Sequence, residues 1–184
     1  MYGCSVLLVT AGPLIVEDLA DIPPGPELAR ALAGLDRSSL SGNDCVEVLK
    51  AQFRQVNHER ARLMAAMVEV GLCGVGPAGE SPCMAVPDEF SADEIRAALM
   101  LTRRAAGAQF WLAYDLVSRL PAVHAAMAAG VLDEPRARMF SDWTSQLYPE
   151  QARALCDELL PRAANSRNSF NMVVTCLPRT RRGR

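Results

Sequence analysis

The sequence predicts an all-α fold: a bundle of several helices, with one long helix over about residues 44–70 and a helix-turn-helix-like pair over about 91–119. Two observations lead to this prediction. Apolar residues recur at intervals of three and four in nearly every segment between turn residues, which is the period of an amphipathic helix. No pair of segments shows the alternating pattern of neighbouring strands. We therefore expect helices throughout the folded region.

Glycine and proline divide the chain into three predicted regions. Residues 1–25 form an apolar leader, which we expect to be poorly ordered. It is too short to span a bilayer and lacks the basic start of a secretory signal, so we expect a cytoplasmic protein. Residues 26–164 form the helical domain, which a Gly/Pro-rich connector at 71–90 interrupts. Residues 165–184 form a basic tail with the composition of a disordered segment.

The first two predicted helices precede the connector. A short helix is expected over residues 27–35, and the long helix begins at Asn43 or Asp44, either of which can cap it. We expect Arg60 to extend its charge into solvent from the apolar stripe of the long helix, and His58 to lie exposed beside that stripe. The stripe consists of Val46, Leu49, Phe53, Val56, Arg60, Leu63, Met67 and Val70.

Two interpretations of this stripe remain open. It is either one arm of a helical hairpin packed within the chain, which we favour, or the seam of a coiled coil between two copies of the chain. Both give the same spacing of apolar residues, because each packs one helix along another. The second interpretation predicts self-association through the long helix.

The helix-turn-helix-like pair follows the connector. Ser91-Ala92-Asp93-Glu94 has the pattern of a capping box and opens a helix that ends near Met100. Thr102 can cap the next helix, which runs to about Leu120. The residues expected to be buried along it are Ala106, Phe110, Ala113, Val117 and Leu120.

Three further helices complete the predicted bundle. Pro121 opens a short helix that Gly130 closes, Asp133 caps the next one, and Pro149 opens the last. The last two helices are expected to bury Met139, Phe140, Trp143 and Leu147, then Ala152, Leu155, Cys156, Leu159 and Leu160.

No catalytic or metal site is predicted. The six cysteines include no Cys-x-x-Cys pair, and the two histidines lie far apart, so neither a zinc site nor a disulfide framework is expected. The acidic neighbours Asp93/Glu94 and Asp157/Glu158 point to different sides of a helix and cannot act as one acid–base pair. We therefore expect no cofactor, no small-molecule ligand and no enzymatic activity.

Nucleic acid is the partner that the charge pattern leaves open. The whole chain has a net charge of −2, but all 21 acidic residues and 13 of the 19 basic ones lie in residues 1–161, a net of −8, while residues 162–184 add six arginines. If the predicted pair is a true helix-turn-helix, its second helix presents its first turns to the groove. Against this interpretation, the turn has Met100-Leu101 where glycine is usual. The alternative is that these charges are simply solvated on the surface of a helical bundle and bind no partner. The candidate contacts are Thr102, Arg103, Arg104, Gln109, Arg179, Arg181 and Arg182.

Several segments together resemble a known family. They are the long helix Cys45–Val70, Ser91-Ala92-Asp93-Glu94-Ile95, Thr102-Arg103-Arg104-Ala105-Ala106, and Arg119–Leu132, whose phrase Leu-Pro…Ala-x-x-Ala-Gly-x-Leu is the most specific. Arg136-Ala137-Arg138 and the final amphipathic helix follow in register. From Leu28 to about Ala164 the chain resembles the actinobacterial domain of unknown function 222, known through the mycobacterial 13E12 repeat proteins.

The resemblance implies a place beside a nuclease. In the family, the helical domain usually precedes an HNH endonuclease module, in which His and Asn residues bind a metal and activate water. No histidine follows Ala164 here, so that module has no candidate ligands or base in this sequence. We therefore expect a truncated, non-catalytic protein that acts as a structural or interaction module. The alternative is a nucleic-acid-binding domain that uses the helix pair and the basic tail.

Overall fold

The computed structural model describes residues 16–73 and 83–165, and within these ranges the fold is all-α, as predicted. Residues 1–15 of the predicted leader, 74–82 of the connector and 166–184 with the tail arginines lie outside the described residues. Three shorter turns accompany the helices: 3-10 turns at Val16–Ala20 and Arg37–Ser39, and a π-helical turn at Asp115–Arg119. The helices are α1 Pro26–Ala33, α2 Gly42–Gly71, α3 Asp93–Ala98, α4 Arg103–Tyr114, α5 Pro121–Ala128, α6 Glu134–Thr144 and α7 Pro149–Asn165.

The described residues form two compact units, divided between Gln55 and Val56 within α2. The first unit has a small core made by Leu19, Leu28, Ala31, Leu32 and Ala51. Arg54 donates hydrogen bonds to the carbonyls of Leu19 and Ile22 near the end of the first 3-10 turn, and the Gly25 N–H donates to the side chain of Gln55 at 2.8 Å. These bonds satisfy backbone groups that the short elements leave unpaired.

The cap of the long helix differs from the prediction by two or three residues. The Asp44 N–H donates to the Ser41 hydroxyl at 3.3 Å, and the Ser41 N–H donates to the Asp44 carboxylate at 3.0 Å. Ser41 therefore caps α2, rather than Asn43 or Asp44, because its side chain and that of Asp44, three residues apart, each bond to the other's backbone N–H.

The core of the second unit lies between the C-terminal half of α2 and α4–α7. Phe110, Leu116 and Val123 are completely buried in it, as are Met127 and Leu132. The predicted caps at Thr102 and Asp133 are confirmed: their side chains accept from the N–H groups of Ala105 and Arg136. Gly130 ends α5 with a φ of 73°, a conformation that favours glycine. α2 contributes Ala61, Met64, Met67 and Val68.

The predicted capping box at Ser91 is wrong. α3 begins at Asp93, and the Ser91 hydroxyl instead accepts from the Asp88 N–H at 3.0 Å and donates to the Asp88 carboxylate at 3.2 Å. The side chain therefore closes the turn that precedes the helix. A nearby acidic partner on the N-terminal side competes with the helix for the same hydroxyl.

Both histidines join α2 to α5. His58 Nδ1 lies 2.6 Å from the carbonyl oxygen of Ala128, and His124 Nε2 lies 2.9 Å from that of Ala61. The prediction that His58 lies exposed is therefore wrong, because the residue is half-buried and its ring is hydrogen-bonded to the end of another helix. Each ring nitrogen that donates to a carbonyl is protonated and cannot act as a base at that atom.

Candidate functional site

The predicted stripe of α2 is largely exposed. Val46, Leu49, Phe53 and Val56 are 48%, 68%, 50% and 54% exposed, and we call these four residues the α2 patch. The favoured hairpin interpretation is wrong, because it requires these side chains to be buried within the chain. α2 instead buries other positions, among them Ala51, Gln55, Ala61, Met64 and Val68.

The stripe residues that follow the α2 patch are not a continuous exposed apolar surface. Arg60 does not extend into solvent: its Nε lies 2.6 Å from a carboxylate oxygen of Glu134 on α6, which also accepts from Arg138 at 3.0 Å. Partial burial raises the pKa of Glu134, but the hydrogen bonds from the two arginines outweigh it and hold that pKa below its ordinary value. Met67 is buried in the core, whereas Leu63 and Val70 are partly exposed. The continuous apolar surface is therefore the α2 patch alone.

The helix pair α3–α4 presents the predicted basic residues at its surface. Arg103 and Arg104 are exposed on the first turn of α4, and neither forms an ion pair with any described residue. Gln109 is half-buried, and the Thr102 hydroxyl is used in capping the helix. Arg179, Arg181 and Arg182 lie outside the described residues. Of the predicted contact residues that the structure describes, Arg103 and Arg104 are therefore the two exposed cations that lie together.

The turn between α3 and α4 has the backbone form that glycine usually supplies. Met100 has a φ of 53°, in the left-handed region, and its side chain is 91% exposed. The absence of glycine therefore does not prevent the turn. The left-handed conformation costs a residue with a Cβ atom on the order of 1 kcal/mol, which the rest of the fold offsets.

A cleft of about 420 Å³ lies beside the π-helical turn. Its inner wall is an ion pair that the sequence analysis missed: Arg119 makes two hydrogen bonds to Asp115, at 2.5 and 2.8 Å, and also donates to the carbonyl of Thr144 at 3.0 Å. Ser141 donates to the same Asp115 carboxylate at 2.6 Å. The four-residue separation of Asp115 and Arg119 is the one sequence signal that could have indicated the pair.

The rim of the cleft carries Trp111, Arg138 and Asp142. The Trp111 ring is about half exposed and meets Phe110 edge-on, with ring centroids 5.2 Å apart. The charged groups of the inner wall neutralise each other, and Arg138 bonds to Glu134. The groups of the cleft thus tie the π-helical turn to α6: Arg119 bonds to both Asp115 oxygens, and the Ser141 hydroxyl bonds to one of them.

The thiol of Cys156 is buried in the core of the second unit. Burial raises the pKa of the Cys156 thiol to about 11, so its thiolate is scarce at neutral pH. Among the described residues, no three His, Cys, Asp or Glu side chains gather as a metal ion would require. None of the described helices has both the length and the apolar composition needed to cross a bilayer.

One comparison with known proteins gives a match. A family model described as a domain of unknown function, DUF222, matches residues 46–173, a range that begins at the first residue of the α2 patch. No curated protein and no solved structure matches the chain.

Proposed function

The chain belongs to the DUF222 family, and from this premise we propose that it is a non-catalytic interaction module that pairs with a second copy of itself through the α2 patch. The supporting observation is the row of four large apolar side chains, each about half exposed or more, on one face of one helix. Monomeric proteins leave single apolar residues exposed, but a contiguous row of them is typical of an interaction surface. The module acts in the cytoplasm and uses neither cofactor nor small-molecule ligand.

The spacing of the α2 patch favours a second copy as its partner. Val46, Leu49, Phe53 and Val56 are separated by three, four and three residues, which is the 3.5-residue period of a coiled-coil seam. Such a seam is complementary to itself: in an antiparallel pair about a two-fold axis, Val46 faces Val56 and Leu49 faces Phe53 of the other copy.

Charge and size set the strength of this pairing. The cation beside the α2 patch, Lys50, bonds to Glu47 of the same helix at 2.7 Å, so an identical face approaches without meeting an unpaired charge. Four side chains from each copy bury less than the ~1,200 Å² typical of stable complexes. We therefore expect a transient dimer that forms with rising concentration.

Leu49→Glu tests the dimer, since Leu49 is the most exposed residue of the α2 patch at 68%. A charge at the centre of an apolar interface costs several kcal/mol when buried. In sedimentation velocity over a concentration series, the unmodified chain should shift towards the dimer while the variant stays monomeric.

Val131→Glu is the matched control for this test. Val131 is 47% exposed and lies outside the α2 patch, so this variant should associate like the unmodified chain. Sedimentation of the unmodified chain as a monomer up to several hundred micromolar would reject the proposal.

Duplex nucleic-acid binding is the second candidate, supported by the position of Arg103 and Arg104. Both are exposed at the start of α4, where the helix dipole and free backbone N–H groups also favour phosphate. The turn between α3 and α4 is four residues long, which is a length that a helix-turn-helix pair can use. In relatives that carry an HNH endonuclease module, such a surface would position the nuclease on its substrate.

The double variant Arg103→Ala/Arg104→Ala tests this second candidate. Fluorescence anisotropy with a labelled duplex should show that the unmodified chain binds at low salt and that the variant binds with about tenfold lower affinity. The salt dependence of the variant's binding constant should be weaker, as expected for the loss of about two phosphate contacts. The matched control Arg30→Ala/Arg62→Ala removes two exposed cations elsewhere and should bind normally. Failure of the unmodified chain to bind at low salt rejects this candidate and leaves the dimer proposal untouched.

A further inference from the structure

Two exposed cysteines lie opposite each other at the end of α2. Cys73 and Cys83 form a single antiparallel bridge, and both side chains are exposed thiols. Cys73 follows the last residue of α2 by two positions, and Cys83 lies on the segment that leads towards α3. Neither cysteine takes part in the α2 patch or in the α3–α4 surface.

The hydrogen bonding fixes the type of this bridge. The Met84 N–H donates to the Leu72 carbonyl at 2.7 Å. A bond between the residue before one bridge partner and the residue after the other marks a non-hydrogen-bonded pair, in which the Cα atoms are ~4.5 Å apart and the side chains lie close on the same face. Disulfides require Cα separations of about 4.4–6.8 Å.

From this register we propose that Cys73 and Cys83 are a redox modification site that forms a reversible intramolecular disulfide. The co-reactant is a small disulfide such as oxidised glutathione. Exposed disulfides are the ones that small thiols reduce again most readily, and cytosolic disulfides are usually transient. The bond ties the end of α2 covalently to the segment before α3.

The reaction has two exchange steps. The thiolate of one cysteine attacks a sulfur of glutathione disulfide, which forms a mixed disulfide and releases one glutathione thiolate. The thiolate of the second cysteine then attacks the protein sulfur of the mixed disulfide and expels the second glutathione thiolate. The two protons lost by the cysteines pass to the two glutathione thiolates. The protein thiols are thus oxidised by two electrons and glutathione disulfide is reduced to two thiols.

The test compares the full chain in its native state and in guanidinium. After equilibration with glutathione buffers of defined ratio, free thiols are blocked and the peptides are mapped by mass spectrometry. The equilibrium constant for the Cys73–Cys83 bond should be at least about tenfold higher in the native chain, because the fold already holds the two residues opposite each other. Equal constants in the two states would overturn the proposal.

Single-cysteine variants separate this site from general thiol oxidation. Cys73→Ser and Cys83→Ser should each lose the intramolecular bond and retain a glutathione adduct on the remaining cysteine. Cys45→Ser, at an exposed cysteine on α2, should leave the bond unchanged. A glutathione adduct that persists on Cys73 of the unmodified native chain would also overturn the proposal, since the second step would then not occur.

Discussion

Gly71→Ala is expected to destabilise the chain by about 2–3 kcal/mol, the usual cost of forcing extra volume into a packed core. A Cβ atom at Gly71 would overlap Cε2 of Phe110 and lie 2.8 Å from its Cζ. The Phe110 ring is completely buried and packs against the rings of Trp111 and Tyr114, with centroids 5.2 and 6.3 Å away. The ring therefore cannot move aside without displacing its neighbours.

Gly107→Ala is the matched control and should have the opposite sign. Gly107 lies inside α4, and a Cβ atom there would meet nothing within 4 Å. Alanine in a helix interior is more stable than glycine by roughly 0.5–1 kcal/mol. Urea unfolding followed by circular dichroism measures both variants. Equal midpoints for Gly71→Ala and the unmodified chain would show that this contact is not tight.

A double variant isolates the contact itself. Phe110→Leu alone should destabilise the core because it removes buried volume. In the Gly71→Ala background the smaller side chain leaves room for the new methyl group, so the combined loss should be smaller than the sum of the two single losses. A coupling energy near zero would show that Gly71→Ala destabilises the chain by some route other than contact with the Phe110 ring.

The helices and two of their caps could be predicted from the sequence because both depend on local pattern. The long helix predicted over 44–70 is observed as Gly42–Gly71. Thr102 and Asp133 cap the helices assigned to them, since each precedes a helical segment without a competing partner. Ser91 has such a partner in Asp88, and its predicted role failed for that reason.

The buried face of α2 could not be predicted because the helix has two apolar faces. One carries the α2 patch, and the other carries smaller residues such as Ala51 and Ala61, which allow close approach of neighbouring elements. Spacing alone favours the larger residues, whereas packing buries the smaller ones together with Met64 and Val68. The choice depends on tertiary contacts that no local pattern contains.

The predicted burial of Val117, in the segment after α4, was wrong for a related reason. Regular spacing predicts that Val117 is buried, but the structure buries Leu116 completely and leaves Val117 half-buried. The π-helical turn at Asp115–Arg119 is wider than an α-turn and shifts the buried face by one residue.

The position of Arg103 and Arg104 could be predicted from the sequence. The two residues are adjacent and directly follow Thr102, which caps α4, so they lie together on the first turn of that helix. The anisotropy measurement tests whether they bind nucleic acid.

Arg119→Ala is expected to cost roughly 3 kcal/mol, because it breaks a partly buried ion pair and removes several hydrogen bonds at once. The side chains of Arg119 and Asp115 are only 19% and 22% exposed. Without the guanidinium, the Asp115 carboxylate keeps, among the side chains that the structure describes, the Ser141 hydroxyl as its donor. The Thr144 carbonyl loses a donor at the end of α6. The π-helical turn and α6 thereby lose their common contact.

Arg119→Lys distinguishes the geometry of the guanidinium from its charge. An ammonium group keeps the charge but cannot bond to both Asp115 oxygens and to the Thr144 carbonyl at the same time, so we expect it to recover less than half of the loss. The control Arg62→Ala removes an exposed cation that pairs with Glu59 at 3.4 Å and should change stability by less than about 0.5 kcal/mol. The urea unfolding midpoints of the three variants measure these differences in stability. If lysine restores full stability, the turn depends on charge alone, and the fork of hydrogen bonds around Asp115 contributes nothing further.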